Sequence, residues 1–265
     1  FNHCKLNVNC KIENCKFKSM RIDIITIFPQ MFDSFLQTSL IARGIKKKML
    51  DINIFDLRCV TTDNHKTVDG KPYGGGPGML LRVDIMDKAI QKVLKQTKIP
   101  RTKTKIILLT PQGKVFKQTM SEELSTASRL IFICGHYEGF DERIRALVDA
   151  EVSIGDYVLT GGELPAMVMV DSIARNINGF LGKDSSLSEE SFSMEINNSI
   201  LNVNCKLEIE NSILEYPHFT KPENYKGSKV PEILLSGNHQ KVADWRAQQA
   251  IKKTQKNRPD LLSKI

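Results

Sequence analysis

The chain has 265 residues, with 38 Lys and Arg against 30 Asp and Glu, for a formal net charge of +8. Hydrophobic content of 41% and charged content of 26% fit an ordinary globular protein of one large or two modest domains. No run of eighteen apolar residues occurs, which excludes a helical membrane span, and Phe1–Lys5 lacks a signal-peptide core, so a cytoplasmic protein is expected. The positive balance points to a polyanionic partner such as nucleic acid and says nothing about fold.

Two segments differ from the rest. Leu6–Lys11 recurs letter for letter as Leu201–Lys206, and Asn198–Leu201 is echoed at Asn211–Leu214. Two distant copies do not make a solenoid, which needs tandem units. Residues 1–19 and about 195–211 read as acquired pieces, polar and loose, with Met20 as a natural start. Cys4, Cys10, Cys15 and Cys205 lie in them, leaving Cys59 and Cys134 in the main body. His3 and the three early cysteines lack the spacing of a zinc knuckle, so no metal site is assigned. Basicity does not depend on these pieces: 1–19 carries four Lys and one Glu, and 195–211 carries one Lys and three Glu.

In chain order, Arg21–Phe28 is an apolar, β-branched run ended by Pro29 and predicts a buried strand. Met31 to Met49 has helical spacing at Met31, Phe35, Leu36, Ile41 and Ile45, with Lys46–Lys48 favouring a helix C-terminus. Ile52–Leu57 predicts a strand and Val83–Gln96 an amphipathic helix. The strands Lys105–Leu109, Leu130–Cys134 and Ala150–Ile154 follow, with Thr119–Ser128 and Asp141–Val148 able to be helical between them. Thr160–Glu163 has capping-box spacing before a helix over Leu164–Ile177, whose apolar face is Leu164, Val168, Ile173 and Ile177. Alternation of strand and helix predicts an α/β fold with a mostly parallel sheet. Gly182–Glu190 is a Ser-rich linker, and a polar, basic helix over Asn238–Asn257 carries the single Trp, Trp245. The expected domains are therefore 20–181, a linker at 182–216 holding the inserted segment, and a small helical domain at 217–265.

Three glycine-bearing loops stand at strand ends, where open α/β sheets bind ligands. They are Thr110–Gly113, Gly135–Arg143 and Ile154–Glu163; a fourth, Tyr73–Met79, has no clear strand before it. Neither a Walker loop nor a Rossmann glycine pattern is present, so no pyrophosphate grip is implied. Each loop alone reads equally well as a tight turn. Three after successive strands favour a pocket of amides, carbonyls and apolar walls, suited to a nucleoside-type ligand.

Met20–Phe28, Tyr73–Met79, Cys134–Arg143, Ser153–Met167 and Leu235–His239 together resemble the bacterial tRNA (guanine-N1)-methyltransferases, over about residues 20–194 and 212–265. The resemblance implies an S-adenosylmethionine-dependent enzyme of the SPOUT class acting on the guanosine at tRNA position 37. It also implies a deep trefoil knot, a helical C-terminal domain and a homodimer with active sites at the subunit interface. Magnesium stays open as an assay companion, with no metal ligands assigned. By that resemblance the cofactor residues are Leu109, Thr110, Pro111, Gly135, Tyr137, Glu138, Ile154, Gly155, Asp156, Tyr157, Val158, Leu159, Gly161 and Gly162. Glu138 suits the cationic sulfonium.

Methylation at guanine N1 requires removal of the N1 proton, and a positioned carboxylate can take it. In the family pattern this base is an aspartate just before a Ser-Phe pair. Here the pair is Ser191-Phe192 and the preceding residue is Glu190, one methylene longer. Arg175 falls where the family has its guanine-contacting arginine, suited to charge growing on O6; by position alone it reads as a helix partner of Asp171. The expected tRNA surface is Lys241, Arg246, Lys252, Lys253, Lys256 and Arg258, which would grip phosphates without reading sequence. The competing expectations are a non-enzymatic RNA-binding protein on the same fold, or a SPOUT enzyme acting on rRNA.

Overall fold

The computed structural model describes residues 19–181, 190–193 and 213–262. The acquired segments lie outside them apart from Ser19, as does most of the linker. The chain divides into two compact units, Phe1–Ile177 and Asn178–Ile265.

The first unit begins with β1 (Met20–Thr26), an apolar strand buried at six of its seven positions. Next come a 3₁₀ turn at Pro29–Phe32, α1 (Asp33–Gln37) and α2 (Ser39–Lys46). The single helix expected over Met31–Met49 is therefore broken. Thr38 is extended and its hydroxyl donates back to the Ser34 carbonyl at 2.7 Å, while Ser39 takes φ +56°. The side chain supplies the backbone with an alternative to the helix ladder, although apolar spacing continues across the break.

β2 (Leu50–Asp56), β3 (Asp69–Gly70), β4 (Leu80–Leu81), α3 (Val83–Leu94) and β5 (Thr104–Val115) come next. They are followed by α4 (Gln118–Ser125), β6 (Arg129–Cys134), a 3₁₀ helix at Glu142–Leu147, β7 (Ala150–Ser153) and α5 (Glu163–Arg175). The five-stranded sheet has the order β2-β1-β6-β5-β7, and every pairing in it is parallel. Strand alternation sends Ile25, Ile106, Leu108, Ile131 and Ile133 into a cluster with Ile85, Met86, Ala89, Ile90 and Val93 of α3. Ile24, Ile107 and Phe132 alternate with them and are buried too, as are Ala166, Met169, Val170, Ile173 and Ala174 of α5. A sheet apolar on both faces reads as continuous hydrophobic runs, and this is why β1, β5 and β6 are legible in sequence.

At the N-terminal edge of the sheet sits a fully buried ion pair. Arg129 Nε donates to Asp23 Oδ2 at 2.8 Å, Nη2 to the Val93 carbonyl at 2.7 Å, and Nη1 to Leu94 O and Thr97 Oγ1 at 3.2 and 2.9 Å. One guanidinium thus neutralises a buried carboxylate and donates to carbonyls at the negative end of the α3 dipole. Asp23 Oδ1 also accepts from Arg21 and Asn53.

Two expectations for α5 fail. Its N-cap is Gly162 with no side-chain cap, so Thr160–Glu163 is no capping box. Glu163 is instead buried, with Oε1 accepting from the Thr26 hydroxyl at 2.6 Å. Leu164 and Val168, assigned to the inward face, are 50% and 49% exposed. A buried acid and two outward aliphatics defeat a reading by hydrophobicity alone.

In the second unit, β8 (Asn224–Tyr225) and β9 (Ser228–Lys229) form a hairpin, followed by α6 (Glu232–Leu235) and α7 (His239–Asn257). Asn238 caps α7, its side chain accepting from the Lys241 amide at 3.1 Å. Ile213, Tyr216 and Ala250 form this unit's small core.

Candidate active site

The three strand-end loops come together at the C-terminal edge of the sheet. The first is an irregularity inside β5, whose register against β7 shifts between Leu109 and Lys114 so that Thr110–Gly113 stands out of the ladder. Arg145 ties it down: its guanidinium holds the Gln112 side chain, pairs with Glu151 at the start of β7, and reaches Glu142 at 2.7 Å.

The second loop leaves β6 at Gly135, and its Asp141 is clamped by Arg143. The Arg143 amide and Nε donate to Asp141 Oδ1 at 3.0 and 2.9 Å, and Nη2 to Oδ2 at 2.6 Å. These side-chain bonds, with the backbone one and the Arg143 charge, hold the Asp141 carboxyl down at about 2. The third loop is stitched to the second by the Gly162 amide, which donates to the Gly135 carbonyl at 2.8 Å, and by an antiparallel bridge between His136 and Gly161. Only glycine allows that approach, because a β-carbon on Gly162 would lie 2.6 Å from Cys134 Cα and 2.7 Å from the Gly135 amide. Below the stitch, burial and then the Glu163 charge push the Cys134 thiol well up, so it is an inert core group.

Between the loops lies a cleft of about 280 Å³. All the predicted cofactor residues except Asp156 line it: Leu109, Thr110, Pro111, Gly135, Tyr137, Glu138, Ile154, Gly155, Tyr157, Val158, Leu159, Gly161 and Gly162. Asp156 does not. Sequence reasoning missed Gln112, His136, Phe140, Arg145, Ser153 and Pro165, which also line it. His136 packs edge-on against Phe28 and Tyr137, and its buried Nδ1 has no hydrogen-bond partner among the described residues. Its place within the expected second loop was the only sequence signal for it.

Of the expected catalytic pair, Arg175 shares the cleft's unit and does not line the cleft. Arg175 is the last residue of α5, whereas the cleft touches that helix at its start, at Gly162 and Pro165. Arg175 stands ten positions after Pro165, about 15 Å along the helix axis. Glu190 belongs to the second unit, where its carbonyl accepts the Ser193 amide at 3.2 Å. That turn is anchored, the Phe192 amide donating to Ile213 O at 2.8 Å and the Glu215 amide to Ser191 Oγ at 3.1 Å. On α7, Lys241, Lys252 and Lys256 are exposed and Lys253 is half-buried. Arg246 covers the Tyr216 ring at 4.7 Å, and Arg258 pairs with Asp260 at 2.6 Å, so both have structural contacts within the chain.

Among the described residues no helix is long and apolar enough to cross a membrane. Residues 20–264 match the family model described as tRNA (Guanine-1)-methyltransferase TrmD. A protein of Moorella thermoacetica named tRNA (guanine-N(1)-)-methyltransferase is 45% identical over 247 residues, covering 93% of this chain and 91% of that protein. Proteins of the same name from Dictyoglomus turgidum and Limosilactobacillus reuteri are 45% and 46% identical, each over 92% of this chain and over 91% and 90% of their own lengths.

Proposed function

Because the chain belongs to the tRNA (guanine-1)-methyltransferase family, we propose that it moves a methyl group from S-adenosylmethionine to N1 of a guanosine in tRNA, at position 37. The observation that carries this reading is the convergence of three strand-end loops on one cleft, in a chain matched to the family over 20–264. The cleft fits the cofactor's chemistry. Its lining combines loop backbone, the apolar residues Leu109, Ile154 and Leu159, and the charged residues Glu138, Asp141, Glu142 and Arg145. It has no phosphate loop, and S-adenosylmethionine has no phosphate. When bound, the cofactor supplies a methyl group made electrophilic by its positive sulfur.

The chain's own residues do the rest. Glu190 takes the proton from guanine N1, leaving that nitrogen's electron pair free for the methyl group the cofactor would supply when bound. Arg175 faces O6, where negative charge grows as the proton departs.

An Arg175 some 15 Å along α5 from the cleft's edge serves the cleft of a second copy more readily than its own. The exposed aliphatics Leu164 and Val168, one helical turn apart, and Val158 at 82% exposure supply an apolar face for that copy. The reading therefore includes a homodimer with shared sites, and with it the knotted topology that the family implies. The second unit supplies the basic face for tRNA, with Lys241, Lys252, Lys253 and Lys256 as its phosphate contacts, and the enzyme works in the cytoplasm. Magnesium is assigned no ligand from the chain.

Glu190→Gln tests the central step. Turnover falls about 10²–10⁴-fold while S-adenosylmethionine binding is unchanged. An active Glu190→Gln enzyme contradicts the assignment.

A further inference from the structure

The fourth glycine loop, Tyr73–Met79, takes no part in the chemistry above, yet it is bound to the cofactor cleft. It links β3 to β4, which pair as an antiparallel hairpin. On leaving it, the chain runs beside the second cofactor loop: the Glu138 amide donates to Met79 O at 3.1 Å, the Leu81 amide to Gly139 O at 2.9 Å, and the Asp141 amide to Leu81 O at 3.0 Å. Next to this ladder is Gly78, with φ +76°. A β-carbon there would lie 2.1 Å from Glu138 Cγ, 2.6 Å from Oε1 and 2.8 Å from Cδ. The side chain of Glu138 thus lies across the face of Gly78 that other residues would fill.

We propose that Gly78 is a positioning residue that sets where the Glu138 carboxylate stands in the cofactor cleft. This rests on Glu138 being the acid that faces the cofactor. The atoms in the way belong to a flexible, exposed side chain, so a methyl group at Gly78 turns Glu138 aside by rotation about its own bonds and leaves the fold intact. The carboxylate moves while the ladder that holds the loop does not. Gly75 provides the matched control, because its φ of +83° carries the same left-handed strain with nothing within 4 Å of its β-carbon position.

The experiment compares full-length Gly78→Ala, Gly75→Ala, Glu138→Ala and Gly78→Ala/Glu138→Ala proteins. Titration calorimetry reads S-adenosylmethionine binding, and steady-state kinetics read both substrates. Gly78→Ala weakens S-adenosylmethionine binding and raises its KM about tenfold or more relative to Gly75→Ala. The KM for tRNA, the kcat at saturation and the melting temperature match between the two. On the Glu138→Ala background, Gly78→Ala adds nothing further. If Glu138→Ala weakens binding but Gly78→Ala equals Gly75→Ala, or if the Gly78→Ala effect persists without Glu138, this inference falls and the cofactor assignment stands. If Glu138→Ala binds the cofactor as the wild type does, the assignment of Glu138 falls and takes this inference with it.

Discussion

At the N-terminal ends of the strands, Arg129 and Asp23 are fully buried and the guanidinium reaches Asp23, Val93, Leu94 and Thr97 together. At the C-terminal ends of the same strands, Tyr137 and Gly139 sit at positive φ, His136 Nδ1 has no partner among the described residues, and Tyr157 and Val158 are exposed. One edge satisfies its polar groups internally; the other leaves amides, carbonyls and apolar surface turned toward a cleft. Sequence cannot add stabilising contacts to the second edge without filling the space a ligand needs. The contrast teaches where to look for stability and where to look for chemistry, and it can be broken from either side.

The largest expected effect is at the closed edge. Arg129→Ala strips the buried Asp23 Oδ2 of its donor, leaving Oδ1 held by Arg21 and Asn53, and costs about 3–5 kcal/mol of folding stability. Urea unfolding measures it; a loss under about 1 kcal/mol would contradict the role given to the pair. Thr26→Val comes next and probes the seam between the edges. It removes the donor to the buried Glu163 carboxylate and costs about 1–3 kcal/mol. Because Glu163 begins α5 beside Gly161 and Gly162, the same change raises the KM for S-adenosylmethionine, whereas Arg129→Ala leaves that KM unchanged in the fraction still folded.

The smallest effect belongs to the open edge's own clamp. Arg143 holds Asp141 at about 2, below an ordinary carboxyl. A depressed pKa means that the clamp contributes stability above the unfolded value and loses it as the pH falls from about 4 toward 2. Asp141 is at the surface, so the expected signature is local. The Asp141 carboxyl titrates near 2 by NMR, and loop residues 137–143 broaden there while core amides do not. Titration of Asp141 at its ordinary value would remove the clamp from the account.

Legibility in the sequence follows the same division. β1 and β6 were readable because strands buried on both faces become apolar runs. The cleft was readable because glycines after successive strands mark places where backbones approach, as at Gly162 against Cys134. What escaped was set by partners far away in the chain. Glu163 looks like half of a capping box, but it is claimed by Thr26, 137 residues earlier. Arg145 looks like a helix-surface charge until Gln112 and Glu151 arrive beside it. Leu164 and Val168 look like core until the helix turns them outward. The helix break at Thr38 was hidden because apolar spacing carries on through it.

Incubation with S-adenosylmethionine and two tRNA transcripts, one with guanosine at position 37 and one without, followed by nucleoside mass spectrometry, tests the central claim most directly. 1-Methylguanosine is expected from the first transcript alone, and its disappearance with Glu190→Gln. No methylated nucleoside, or a methyl group on another atom or base, would contradict that claim.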